Sequence, residues 1–289
     1  MEYRKLGRTG LDVSVIAFGG ILAARIGQEK VFPVVDDAIA RGVNLFDVDP
    51  TYRDAQNKLG PAIEKYRDRI ILTCKTEPEK NKEEVRADLE HSLQVLKTDF
   101  FDVYQLHEVT DDESLKKAIS PGGALEAILE AREEGLVKYI GFSAHSDTYA
   151  LKLMKYFDFD TVMFPINWNY WINYHQGEAV IQKAQETDKG ILAIKALAQR
   201  RWKDSEERYD YQCWYKPLFD NEALAELALK FTLSKKVATA VCPGDYRMLS
   251  KSIDLVEALN RLYALSESEK EQLVEYAKSE GGQLYPVVL

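Results

Sequence analysis

The chain is poor in cysteine, in histidine and in unbroken apolar sequence, and each shortage closes off a class of function. Its three cysteines, Cys74, Cys213 and Cys242, are odd in number, widely spaced and form no CxxC. Neither a disulfide scaffold nor a structural zinc site is expected, and a reducing compartment fits. The four histidines, His91, His107, His145 and His175, include no HxH pair. They leave few nitrogen ligands for a metal-dependent hydrolase built on Asp47, Asp49, His107 and His145, so no metal site is assigned. No run approaches the roughly 20 apolar residues of a membrane span, and the opening MEYRKLGRTG lacks a stretch of signal-peptide length. Lys plus Arg is 38 against 47 for Asp plus Glu, a net of −9, which disfavours a broad surface for nucleic acid or anionic membrane. A soluble, cytoplasmic protein acting on a small molecule is expected; the oligomeric state is left open.

What the chain does have is alternation. Short apolar runs of the kind that make buried parallel strands occur at 13–20, 43–48, 70–75, 101–107, 139–143, 161–167, 191–197 and 238–244. Between them lie helical stretches at 29–42, 81–97, 122–135, 178–190 and 221–236, with a further one at 266–282 that Ser266 or Ser268 is placed to cap. Eight strand–helix units in 289 residues fit a single (β/α)8 TIM barrel over 1–289, with a short N-terminal hairpin around Tyr3–Leu11 and an extra C-terminal helix. An open doubly wound sheet would want GxGxxG after its first strand, and FGGILAARIG does not have that spacing.

In such a barrel, chemistry gathers where strands run out into loops. Asp47 closes the second run and Tyr52 lies in its loop; Lys75 closes the third, His107 the fourth, Ser143 the fifth and Asn167 the sixth. A phenol has a free pKa near 10 and is a reluctant acid at neutral pH. A neighbouring ammonium favours the phenolate, so Lys75, paired with Asp47, is expected to lower the pKa of Tyr52. His107 is suited to donating a hydrogen bond to a carbonyl oxygen. A proton donor beside an oxygen-binding group suits carbonyl reduction, once a cofactor supplies hydride.

These segments resemble the aldo-keto reductases. The resemblance runs from LGRTGLDVSVIAFGG through FDVDPTY, LTCKT, YQLHE and GFSAH to PGDYRML, nearly the whole chain. It implies a (β/α)8 barrel, NADPH or sometimes NADH as cofactor, and an aldehyde or ketone as substrate. It also implies a catalytic tetrad of Asp47, Tyr52, Lys75 and His107, with Tyr52 as general acid in reduction. By the same likeness Gly19, Gly20 and Asp47 line the cofactor cleft, Ser143 bonds the nicotinamide carboxamide, and Ile194 and Lys195 lie against the nicotinamide or its phosphates. Gly244 to Arg247 approach the adenosine end, together with the start of the next helix, and Arg247 and Lys251 are offered to a 2′-phosphate.

The chain departs from the family pattern at three places. Ala144 follows Ser143 where Asn is usual. Pro165 or Asn167 stands where a Gln is usual, so Asn167 is a candidate carboxamide ligand. Ile194 replaces the Tyr expected under the nicotinamide. The long stretch 198–221 carries Trp202, Tyr209, Tyr211, Trp214 and Tyr215; with Trp168, Tyr170 and Trp171 it is expected to form an aromatic wall, Trp168 and Trp202 touching substrate. Two rival readings are a Schiff-base aldolase on Lys75 or Lys195, and a cofactor-sensing subunit with little turnover.

Overall fold

The apolar runs close into a ring. The computed structural model describes residues 1–206 and 213–285. Along the chain come β1 (Tyr3–Lys5), β2 (Asp12–Ser14), β3 (Ile16–Gly19), α1 (Gln28–Ala40), β4 (Leu45–Asp47), α2 (Ala55–Ile63), β5 (Ile71–Thr76) and α3 (Lys82–Leu96). Next are β6 (Phe101–Val109), α4 (Asp112–Ile119), α5 (Ala124–Glu133), β7 (Val137–Ala144), α6 (Asp147–Tyr156), β8 (Thr161–Pro165), α7 (Trp168–Tyr174) and α8 (Glu178–Glu186). The remainder are β9 (Gly190–Ile194), β10 (Ala198–Arg200), β11 (Lys216–Pro217), α9 (Glu222–Ser234), β12 (Thr239–Val241), α10 (Tyr246–Leu259) and α11 (Glu267–Ser279).

Strands β3, β4, β5, β6, β7, β8, β9 and β12 are parallel and form the closed barrel. Ala240 of β12 pairs with Ala193 on one side and with Ile16 on the other, which shuts the ring and leaves no strand edge open. The interior is filled by Val13, Ala17, Leu45, Val103, Met163 and Leu192, with Leu6 plugging the floor from the β1–β2 hairpin. A larger apolar cluster lies between the strands and the surrounding helices. Each Leu or Val so buried stabilises the fold by about 1.5–3 kcal/mol, so a floor change such as Leu6→Ala loosens the barrel.

Helix starts follow their capping signals. Asn81 with Glu84, and Ser266 with Glu269, form reciprocal capping boxes at α3 and α11. The expected first strand at 13–20 is divided: β2 joins the hairpin, and the chain changes sheet at Val15, where Ser14 Oγ bonds the Ile16 carbonyl at 2.7 Å. Helices α2, α4, α6 and α7 were not expected; α2 contains Pro61, and the α7 stretch WNYWINY has a strand-like aromatic composition. Among the described residues, no helix is long and apolar enough to cross a membrane.

Candidate active site

A break in the β6–β7 pairing shapes the mouth of the barrel. Leu106 pairs with Phe142 and Val109 with Ala144, so His107 and Glu108 together face the single residue Ser143. Such a bulge re-aims the side chains of the longer strand. Glu108 takes φ 54° to make it. The backbone N–H this frees is not left unpaired, because Glu108 N donates to Ser143 Oγ at 2.7 Å. Ser143 therefore keeps its hydroxyl proton for another partner, and it does not cap a helix.

Beside the bulge, Asp47 and Lys75 form a buried ion pair. Lys75 Nζ lies 2.7 and 2.6 Å from the two Asp47 oxygens and 3.3 Å from the Val48 carbonyl. Thr73 Oγ1 donates to the same carboxylate at 2.7 Å. Burial works against a charged lysine here, but Asp47, Tyr52 and Asp49 outweigh it and hold the Lys75 pKa above its usual value. The ammonium lies 5.5 Å from the centre of the Tyr52 ring. His107 meets that ring edge-on at 6.5 Å between centroids, and Trp214 covers it at 5.7 Å.

The expected lowering of the Tyr52 pKa is corrected by this geometry. Burial of the phenol raises it, the carboxylates of Asp47, Asp49 and Glu108 add to the rise, and Lys75 offsets only part. The proton therefore stays on Oη at neutral pH. Asp49, wholly buried, was singled out only as a metal ligand, yet its Oδ2 sits 2.9 Å from His107 Nδ1. Its Oδ1 accepts from Thr51 N at 2.7 Å and Thr51 Oγ1 at 2.5 Å. Burial alone would raise the Asp49 pKa, but His107, Lys75 and Thr51 bring it down to about 2.

A cavity of about 370 Å³ opens over this group, and Asp47, Tyr52, Lys75 and His107 all line it. So do Gly19, Ser143, Ile194, Lys195 and Gly244 among the expected cofactor residues. Gly19 must lack a side chain, since a Cβ there would lie 2.4 Å from the Cys242 carbonyl. Gly20 sits one residue behind, against the Asp47 carbonyl. Glu108 and Met163 also line the cavity and are not among the expected site residues, although Glu108 was legible as a polar residue flanking a strand end; His145, expected only as a metal ligand, and Tyr215, expected in the aromatic wall, line it too.

Other candidates have structural duties. Asn167 is fully buried and caps α7, accepting from Asn169 N and Tyr170 N, while its amide donates to the carbonyls of Lys195 and Ala198 at 2.8 and 2.9 Å. All its bonding groups are thus engaged, away from any carboxamide. Trp168 lies wholly in the core. Trp202 Nε1 bonds the Cys213 carbonyl at 3.0 Å, and neither tryptophan lines the cavity. Tyr170 Oη donates to the Tyr285 carbonyl and accepts from Leu284 N and Tyr285 N, pinning the C-terminal segment. The aromatic wall is instead Trp214 and Tyr215; Tyr209 and Tyr211 lie outside the described residues.

At the far end, Arg247 folds back onto Asp245, with Nε 3.0 Å from Oδ1 and Nη2 2.8 Å from Oδ2. Asp245 also accepts from Arg247 N as the cap of α10, so a carboxylate occupies the helix start expected to take phosphate. Lys251 Nζ donates to the Phe219 carbonyl at 2.7 Å. Among the described residues no cluster of three or more metal-ligating side chains occurs.

Comparison with known proteins agrees with this architecture. The aldo/keto reductase family pattern matches residues 15–288. The oxidoreductase YqkF of Bacillus subtilis is 26% identical over 257 residues, covering 82% of this chain and 81% of that protein. The L-galactose dehydrogenase of Arabidopsis thaliana is 28% identical over 157 residues, 50% of this chain and 48% of that enzyme. Among solved structures, the aldo-keto reductase AKR11C1 of Bacillus halodurans in its holo form superposes with a TM-score of 0.72 at 22% identity, covering 99% of this chain and 98% of that one. A closed eight-stranded barrel, a buried Asp–Lys pair under a tyrosine at its mouth, and a family match over nearly the whole length lead to one conclusion: the chain belongs to the aldo/keto reductase family.

Proposed function

We propose that this protein is an NAD(P)H-dependent reductase that converts an aldehyde or ketone to an alcohol, with Tyr52 as the general acid. The observation that carries this reading is the buried Asp47–Lys75 pair beneath the Tyr52 ring in a cavity that also holds His107. The residues present fit a nicotinamide: Met163, Ile194 and Val241 offer an apolar surface, and the Ser143 hydroxyl is a donor at its edge. When bound, the reduced nicotinamide supplies a hydride to the carbonyl carbon.

The chain supplies the rest. Tyr52 retains its proton in the resting site, because burial and nearby carboxylates disfavour the phenolate. As negative charge develops on the carbonyl oxygen, that proton is transferred to it. The Lys75 ammonium, held charged by Asp47, reduces the cost of the phenolate left behind. His107, whose Nδ1 lies beside the Asp49 carboxylate, has its other ring edge to offer to the substrate oxygen. Trp214 and Tyr215 shield the reacting groups from water and favour an apolar substrate body.

NADPH is the cofactor that the family likeness suggests first. The two cations offered to its 2′-phosphate are engaged by Asp245 and the Phe219 carbonyl, and this favours NADH as a competent alternative. Fluorescence titration with both reduced dinucleotides, followed by turnover of a panel of aldehydes, quinones and sugars, tests the reading. Binding with turnover is expected. Tight binding with no turnover of any carbonyl would favour a cofactor sensor, and absence of binding would refute the proposal.

A further inference from the structure

Glu108, His145 and Lys195 form a second charged group in the same cavity, and the chemistry above uses only the charge of Glu108, which adds to the rise in the Tyr52 pKa. Glu108 Oε1 lies 2.9 Å from His145 Nδ1, and His145 Nε2 lies 2.5 Å from Lys195 Nζ. For the Lys195 ammonium to donate to Nε2, the imidazole must be neutral with its proton on Nδ1, the nitrogen beside the Glu108 carboxylate. The rings of Tyr215 and Tyr285 lie 5.3 and 5.2 Å from Nζ. Among the described residues no carboxylate touches Lys195; Glu108 reaches it only through the imidazole. Burial consequently draws the Lys195 pKa down to about 7, opposed by Glu108, and draws that of His145 down to about 4, with Lys195 adding to the fall.

The backbone is committed to this arrangement. Lys195 has φ 64° and Glu108 φ 54°, in the left-handed region. Most other non-glycine residues there follow helix ends, where that conformation is routine, whereas these two bear side chains into a cavity. The Asn167 amide holds the Lys195 carbonyl in place. The direction of the amine is also informative. Lys195 leaves the barrel at the end of β9, which pairs with β8 and β12, yet its Nζ meets His145 beyond β7. It reaches towards the side of the ring that carries His107 and away from β12, whose exit loop holds Asp245 and Arg247.

We propose that Lys195, backed by His145 and Glu108, is an anion subsite of the substrate pocket, and that the carbonyl compounds best reduced here carry a carboxylate. The class follows from the chemistry: an ammonium with two further N–H donors and no contacting counter-ion, beside the aromatic surfaces of Trp214 and Tyr215, suits an acidic group on an apolar or aromatic body. The proposal rests on the reductase reading. The pyrophosphate of a dinucleotide offers the same kind of oxygen, so the experiment separates the two sources.

The test compares 4-carboxybenzaldehyde with 4-methylbenzaldehyde, which are similar in shape and differ in charge. The wild type is expected to favour the carboxylate in kcat/KM by about tenfold or more, the scale of one charge-assisted hydrogen bond. Lys195→Met should collapse that ratio to about one, and Lys195→Arg should restore part of it. Because the readout is a ratio of two substrates on one protein, general effects on folding or on the dinucleotide cancel. A wild-type ratio near one, or an unchanged ratio in Lys195→Met, overturns the proposal. So does a Lys195→Met variant that weakens reduced-dinucleotide binding while leaving the ratio intact, because the anion is then the cofactor's pyrophosphate. Calorimetric titration with 4-methylbenzoate reads the subsite without turnover: binding to the wild type that is lost in Lys195→Met supports it even if no aldehyde is reduced. Absent turnover with retained benzoate binding would remove only the reductase reading.

Discussion

Replacing Lys75 with Met leaves the Asp47 carboxylate buried without its cation. The two side chains are 1% and 4% exposed and touch at 2.6 Å, so water does not take over the lost contact. Removing one partner of a buried pair costs about 3–5 kcal/mol, most of it the penalty of the charge left behind. Thr73 Oγ1 at 2.7 Å and Gln105 Nε2 at 3.5 Å still donate to Asp47, which places the expected loss near the lower end, about 3 kcal/mol. For a domain of this size that corresponds to a fall in Tm of about 5 °C. Urea denaturation at pH 7, followed by tryptophan fluorescence, measures it. The double variant Asp47→Asn/Lys75→Met removes the stranded charge and should recover a large part of the stability while remaining inactive. A loss below about 1 kcal/mol, or a double variant less stable than the single one, would refute the argument that this pair is desolvated and mutually required.

Asp49→Asn should cost on the order of 2 kcal/mol at pH 7, from a carboxylate pKa drawn from 3.8 to about 2. A depressed acid stabilises the fold above its unfolded pKa and loses that contribution as pH falls towards 2, so the gap between variant and parent should close in acid. Denaturation curves across that range that keep a constant gap would contradict it. Asp245→Asn keeps a good helix cap but removes the charge that holds Arg247, so binding should shift towards NADPH over NADH by about tenfold. An unchanged ratio of the two dissociation constants would show that Arg247 does not meet the 2′-phosphate.

The barrel was legible because parallel strands buried on both faces read as short apolar runs, and because polar residues at the ends of such runs stand out. Asp47, Lys75, His107 and Ser143 were found in that way. The bulge at Glu108 was not legible, because a single residue with positive φ leaves no mark on hydrophobic spacing; without it the neighbours of His107 and Ser143 are misplaced by one residue. Asn167 occupies a strand end like the others, but its position before WNYWINY makes it a helix cap, a signal masked by the aromatic content of that helix. The inward turn of Trp168 and Tyr170 follows from the same helix. The engagement of Arg247 was readable in principle from Asp245 two residues earlier. The fall in Lys195 basicity was not, since it depends on which residues from β6 and β7 meet an amine leaving β9.

Tyr52→Phe bears most directly on the central claim, because it deletes one oxygen and keeps the ring against His107 and Trp214. Steady-state carbonyl reduction by this variant should fall by about 100-fold or more, the scale of a lost general acid, with reduced-dinucleotide affinity nearly unchanged. Near-parental reduction by Tyr52→Phe would contradict the account.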